Sequence, residues 1–182
     1  MGHKRQRKPP SALDEAKLRE LALAYVSRFS TTRAKLRAYL GRKVRERGWA
    51  GDRDADVAGI VEAIAERGYV DDSGYALTKA QALTDRGYGK RRVMEKLRAA
   101  GVEEADGASA TEHAEAQAVR AALRFAERRR IGPFSTLAPD EASERDRQIA
   151  AMIRAGHPFR LARAITDLPP GEPFDEDALN IG

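Results

Sequence analysis

The sequence predicts an all-α protein made of three tandem three-helix repeats that form an elongated, curved helical array. Three observations predict it. Alanine, leucine, arginine and glutamate dominate while aromatic residues make up 6%, a composition that favours helix over sheet. Most apolar positions recur at three- and four-residue spacing instead of alternating. Finally, the glycines that end three of the helices, Gly48, Gly101 and Gly156, fall 53 and 55 residues apart, a period that marks a repeat.

The elements follow in order. Ser11 is the expected N-cap of the first helix, with Asp14 three residues on as the carboxylate of a capping box; Leu18, Leu21, Tyr25 and Phe29 form its apolar stripe. Ser30 and the Thr31-Thr32 pair stop that helix and cap the next, whose inward line is Leu36, Tyr39, Leu40 and Val44 up to Gly48. A third helix over about 55–67 carries Val57, Ile60, Val61 and Ile64 and closes at Gly68. After the turn Tyr69-Val70-Asp71-Asp72, a fourth runs from Ser73 to Arg86 with Ala76, Ala80 and Leu83 inward, and a fifth from Lys90 to Ala100 with Val93 and Leu97 inward. From Val102 the pattern weakens, because Gly107 interrupts a run of small residues. Periodicity returns with Val119, Leu123 and Ala126, breaks at Ile131-Gly132-Pro133-Phe134, passes a loop around Leu137 to Pro139, and resumes with Ile149, Met152 and Ile153. A last short helix carries Phe159, Leu161, Ala162 and Ile165.

This reading places a basic, disordered amino terminus over 1–11 and repeats over 12–70, 71–115 and 116–167, the middle one with a degenerate third helix. Beyond Arg163 there is no cation and there are five carboxylates, which together with Pro169-Pro170-Gly171 predicts a flexible acidic tail over 168–182.

At 182 residues, 42% hydrophobic and 34% charged, the chain has material for a modest core, and no run approaches the roughly 18 apolar residues that a membrane span requires. With no cysteine, disulfides, thiolate metal sites and cysteine nucleophiles are excluded. The basic segment Met1 to Pro10 has no apolar stretch behind it and does not read as a secretory signal, so a cytoplasmic protein is expected. Charge is unevenly spread: residues 1–50 hold 14 Lys/Arg against 4 Asp/Glu, whereas 51–110 carry net −3 and 111–182 net −2. A first third at net +10 favours an anionic partner.

Catalytic patterns are weak. His3, His113 and His157 have no paired ligand spacing, and no metal or other cofactor is expected. Asp52, Asp54 and Asp56 imitate the opening of a calcium loop, but Val57 stands where the sharp-turn glycine belongs and Ala63 where the bidentate glutamate belongs, so they read as carboxylates at a helix start. Asp71-Asp72 resembles a carboxylate pair, yet Asp72 fits a helix cap. Gly87-Tyr88-Gly89-Lys90 invites a phosphate-loop reading that Thr84 and Arg91 deny, standing where that motif needs a glycine and a hydroxyl. Trp49 follows a helix-ending glycine and reads either as a plug between helices or as an exposed anchor.

What does stand out is cationic. Lys90, Arg91 and Arg92 crowd a helix amino terminus, where they oppose the macrodipole. Arg33, Lys35 and Arg37 do the same on the second helix and are followed by Arg42, Lys43, Arg45 and Arg47, while Arg128, Arg129 and Arg130 precede the third repeat's turn. Placement against the local field points to an outside partner, and these thirteen residues form the expected anion-binding surface, acting through phosphate or carboxylate pairing.

The run Ala22 to Ser30 leading into Thr31-Thr32-Arg33-Ala34-Lys35-Leu36, then Gly68-Tyr69-Val70-Asp71-Asp72 with Tyr75-Ala76, then Arg86-Gly87-Tyr88-Gly89 leading into Leu97 and Gly101, resembles the RecX family of bacterial recombination regulators over about residues 12–166. The resemblance implies three tandem three-helix units and a non-enzymatic protein without cofactor. It also implies binding to the RecA recombinase, chiefly its filament on single-stranded DNA, and restraint of the filament's ATPase, strand-exchange and coprotease activities, and it leaves room for contact with single- or double-stranded DNA. No contact residues are carried over, so the basic clusters rest on the reading above. The alternative from a different class is a helical DNA-binding module acting on DNA directly through its basic helices. Against base-specific reading, the basic clusters are spread over several repeats instead of sitting on one reading helix.

Overall fold

A computed structural model describes residues 11–136 and 142–179. The expected Leu137 to Pro139 loop and almost all of the basic amino terminus lie outside the described residues. Among these residues there are nine α-helices and no β-strand, only an isolated bridge between Leu13 and Trp49. The helices are α1 (Glu15–Val26), α2 (Arg33–Arg47), α3 (Val57–Glu66), α4 (Asp72–Asp85), α5 (Lys90–Ala99), α6 (Ala108–Ala116), α7 (Ala118–Arg129), α8 (Ala142–Arg154) and α9 (Phe159–Thr166). The chain divides into two units, residues up to Asp72 and residues from Ser73 onward.

In the first unit α1, α2 and α3 enclose a core of Leu13, Leu18, Ala22, Leu36, Leu40, Ile60, Val61, Ile64 and Val70. Its helices start where short polar side chains accept orphan backbone donors. Asp14 caps α1 by accepting from the Lys17 N–H at 2.9 Å, which corrects the expectation for Ser11; Ser11 instead offers its carbonyl to Arg47. A bond from the Lys17 side chain holds the Asp14 carboxyl below its ordinary pKa. Thr32 caps α2 through Lys35 N, and Asp56, the last carboxylate of the Asp52–Asp54–Asp56 run, caps α3 through Gly59 N at 2.8 Å. Asp72, the first residue of α4 and the last of this unit, is buried, and its Oδ1 accepts from the Arg33 N–H at 2.9 Å, satisfying a donor at the start of α2. Trp49 takes the plug role: it packs on the core half-buried and its Nε1 donates to the Arg53 carbonyl at 2.6 Å. Phe29, placed on the α1 stripe by periodicity, is instead 55% exposed and meets only the edge of that core through Tyr25.

The second unit holds two cores. One gathers Ala76, Ala80, Leu83, Val93, Leu97, Val102, Ala110 and Ala114 from α4, α5 and α6. The weak stretch after Val102 does form a helix, α6, but it buries only Ala110 and Ala114. The other core gathers Phe125, Ile131, Ile149, Met152, Leu161 and Ile165 from α7, α8 and α9. Phe159, expected inward, is 54% exposed. The acidic segment is anchored over its described part where composition predicts a free tail: the Gly171 N–H donates to Pro133 O, Phe174 meets Phe134 edge-on at 6.0 Å, and Leu179 is buried in this core.

The two cores of this unit meet through paired turns. Gly89 N donates to Ala155 O and Arg91 N to Gly156 O, while the buried His157 ring donates from Nε2 to Gly87 O at 3.0 Å. The backbones approach so closely that a Cβ on Gly89 would stand 2.3 Å from the Gly156 oxygen, a contact only glycine permits.

Two outcomes test this junction. Gly89→Ala is expected to cost about 1–3 kcal/mol, read as a lower thermal midpoint. Burial lowers the His157 pKa from 6.5 to about 4, against a smaller opposing effect of the bond to Gly87. The unfolded chain therefore binds the extra proton between those values, so His157's contribution is full above pH 6.5 and is lost as pH falls toward 4. Denaturant titrations at pH 7 and 4.5 should differ by up to about 3 kcal/mol from this residue, and His157→Gln should remove that part of the difference.

Candidate anion-binding interface

On the first unit the basic residues cluster along α2. Arg33 and Arg37, one turn apart, both reach Glu62 of α3, at 3.6 and 3.3 Å. Arg42 and Lys43 share Glu46 and flank the Tyr39 ring, their charges 5.6 and 5.9 Å from its centroid. The bond from Lys43 is the main reason the Glu46 carboxyl lies below its ordinary pKa. Arg47 binds the Ser11 carbonyl through two nitrogens at 3.1 and 2.8 Å, tying the end of α2 to the segment before α1. Lys35 and Arg45 are exposed on the same helix. Four of the seven, Arg33, Arg37, Arg42 and Lys43, thus meet two carboxylates, Glu62 and Glu46, in pairs that are solvent-exposed and individually weak. A polyanion can exchange for them at small cost.

On the second unit the remaining six residues take different roles. Lys90 pairs with Glu115 of α6, Arg91 binds the Ile153 carbonyl at the end of α8, and Arg128 binds the Arg86 carbonyl before the α4–α5 turn. These three brace the packing of α5, α7 and their neighbours. Arg92, Arg129 and Arg130 face outward. Arg129 lies over the Phe125 ring at 5.8 Å, and Arg130 ends α7 in the left-handed region at φ 54°. Arg92 meets Glu95 at 3.1 Å.

Arg92 and Arg129, far apart in sequence, come together with Arg154 around an open cleft of about 230 Å³ floored by Tyr88 and Phe125. A second cleft of about 450 Å³ adjoins it through Arg129 and Ala151 and adds Arg130 and Arg147, with Glu144 as its one carboxylate. The start of α5, the end of α7 and the length of α8 therefore present five guanidinium groups on one face. Sequence reasoning missed Arg147 and Arg154. Their signal was the seven-residue spacing, which puts both on the same side of α8, but single arginines in a mixed-charge helix did not form a visible cluster. Guanidinium groups pair bidentately with phosphate and carboxylate, so the arrangement has the chemistry to hold and orient an anion.

No other chemistry is assembled nearby. Among the described residues no three His, Asp or Glu side chains come together as a metal site. His113 accepts or donates a bond with Thr84 at 3.1 Å within the α4–α6 packing, and the Gly87–Lys90 segment is the turn described above. No helix among the described residues is long and apolar enough to cross a membrane.

Comparison with known proteins adds to this geometry. No family model matches the chain. It is 33% identical over 177 residues to the regulatory protein RecX of Myxococcus xanthus (strain DK1622), covering 93% of this chain and 92% of that protein. In fold it is similar to the crystal structure of RecX from Lactobacillus salivarius, with TM-score 0.60, 15% identity and coverage of 82% of this chain and 92% of that one. A second crystal structure, of a regulatory protein RecX, has TM-score 0.60 at 18% identity and covers 84% and 70% respectively.

The division of labour among the arginines is open to test. Arg128→Gln should lower stability by about 1 kcal/mol in thermal melts while leaving heparin or oligonucleotide affinity nearly unchanged. Arg154→Gln should do the reverse, weakening polyanion binding and reducing the slope of log affinity against log salt by about one phosphate contact.

Proposed function

The chain belongs to the RecX family, and from that premise we propose that it binds the RecA recombinase filament on single-stranded DNA and restrains its ATPase, strand-exchange and coprotease activities. The observation that carries this reading is the convergence of Arg92, Arg129, Arg130, Arg147 and Arg154 on one open face of the second unit, in a member of a family of non-catalytic regulators. An open arginine face lies against an extended anionic surface, whereas an enzyme encloses a small substrate among convergent polar groups. In this reading the α2 cations and the α5–α7–α8 arginines engage acidic filament surfaces or the DNA backbone, and the protein gains avidity by touching more than one protomer. It acts in the cytoplasm, where the filament forms.

Titration into a DNA-dependent RecA ATPase assay tests the proposal, beside salt-dependent binding to bare DNA. Inhibition is expected at ratios well below one chain per recombinase. The triple reversal Arg92→Glu, Arg129→Glu and Arg154→Glu should raise the concentration for half inhibition at least about tenfold with an unchanged circular-dichroism melt. Tight binding to bare DNA with an unaffected ATPase would favour the DNA-binding alternative instead.

A further inference from the structure

A second surface lies on the first unit, away from the α2 cations in sequence and different in character. Between α1 and α3 a cleft of about 270 Å³ has an aliphatic floor of Leu23, Ile60 and Ile64, is walled by Tyr69, and carries Arg19 and Arg67 on its rim. Four large hydrophobic side chains are conspicuously exposed among the described residues, and two of them, Leu23 at 44% and Tyr69 at 57%, are here. The cleft is smaller than the roughly 300–1,000 Å³ of small-molecule sites, and no carboxylate lines it. Its cations are available: Arg19 is held only by an exposed one-turn pair with Glu15 at 2.7 Å, and Arg67 donates to the Ala63 carbonyl of its own helix at 2.6 Å. An incoming carboxylate can displace such a solvent-exposed pair.

We propose that this cleft docks a short acidic segment of a partner protein, whose bulky apolar side chain enters between Leu23 and Ile64 while flanking carboxylates pair with Arg19 and Arg67. Charge complementarity selects the occupant: the rim is wholly cationic and the floor wholly aliphatic. A nucleic acid would find two phosphate contacts but only one aromatic surface for its bases, and burying its polar edges on leucine and isoleucine is unfavourable. An amphipathic segment with apolar residues three or four apart and acidic residues between them satisfies both parts, in the helix-in-groove mode. This inference is independent of the recombinase reading, since it concerns another face and is tested without the filament.

The test uses the full chain and a short fluorescein-labelled peptide with leucine and phenylalanine three and four residues apart among aspartates and glutamates. Fluorescence anisotropy should show saturable binding that Leu23→Asp and Arg67→Glu each weaken at least about tenfold, with inhibition of the RecA ATPase followed separately. Should Leu23→Asp fail to melt cooperatively, Arg67→Glu decides. The proposal is overturned if both folded variants bind as the parent does, or if a peptide with alanine in place of leucine and phenylalanine binds equally well. It is also overturned if single-stranded DNA displaces the peptide from the parent chain but no longer binds Arg67→Glu, or if sedimentation shows self-association of the parent that Leu23→Asp abolishes, which would make a second copy the occupant.

Discussion

The second unit depends on the contact between two glycine turns. Gly89, at the start of α5, and Gly156, at the end of α8, bring their backbones together closely enough that neither tolerates a Cβ, and the bonds from Gly89 N and Arg91 N run to the carbonyls of Ala155 and Gly156. His157 closes the same junction from the other side through the Gly87 carbonyl. Because the α5 start and the α8 end are locked in register, Arg92 and Arg154 come to the same cleft, and α7 delivers Arg129 between them. The arginine face is thus a consequence of backbone packing.

The cations divide by what they touch. Those bonded to a backbone carbonyl of another segment, Arg47, Arg91 and Arg128, hold one segment to another. Those facing exposed carboxylates or open clefts do little for the fold, since solvent screens such pairs. Their charge is therefore spare, and an arginine-rich protein with a net charge of only +5 can still present strongly positive faces. The apolar cleft beside Arg19 and Arg67 shows the same economy with a different floor, so neighbouring helices of one small protein offer surfaces suited to different anions.

Much of this architecture was legible in advance. Leu18, Leu36, Leu40, Ile60, Val61, Val93, Leu97, Met152 and Ile165 are core because their spacing places them on one face of each helix, and the structure buries every one. Thr32 is legible as a cap for the same local reason. What depended on distant contacts was not. The burial of Leu179 requires the α7–α9 core as a destination, which an acidic, proline-containing stretch does not advertise. Asp72 reads as a helix cap, whereas the structure makes it the first residue of α4 and gives its carboxylate to the Arg33 N–H, a bond that joins positions 39 apart. For the candidate interface, runs of adjacent cations were visible, but whether each one braces the fold or faces outward depends on tertiary packing. Adjacent residues on a helix point in different directions, so Arg128 braces while Arg129 lines an open cleft.

The alanine interior of α6 has an energetic consequence. Ala110 and Ala114 allow close approach to α5 but remove little apolar area from water, so each contributes far less than a buried leucine. The hold of α6 on its neighbours therefore leans on polar ties, Lys90 to Glu115 and Thr84 to His113, more than on apolar burial.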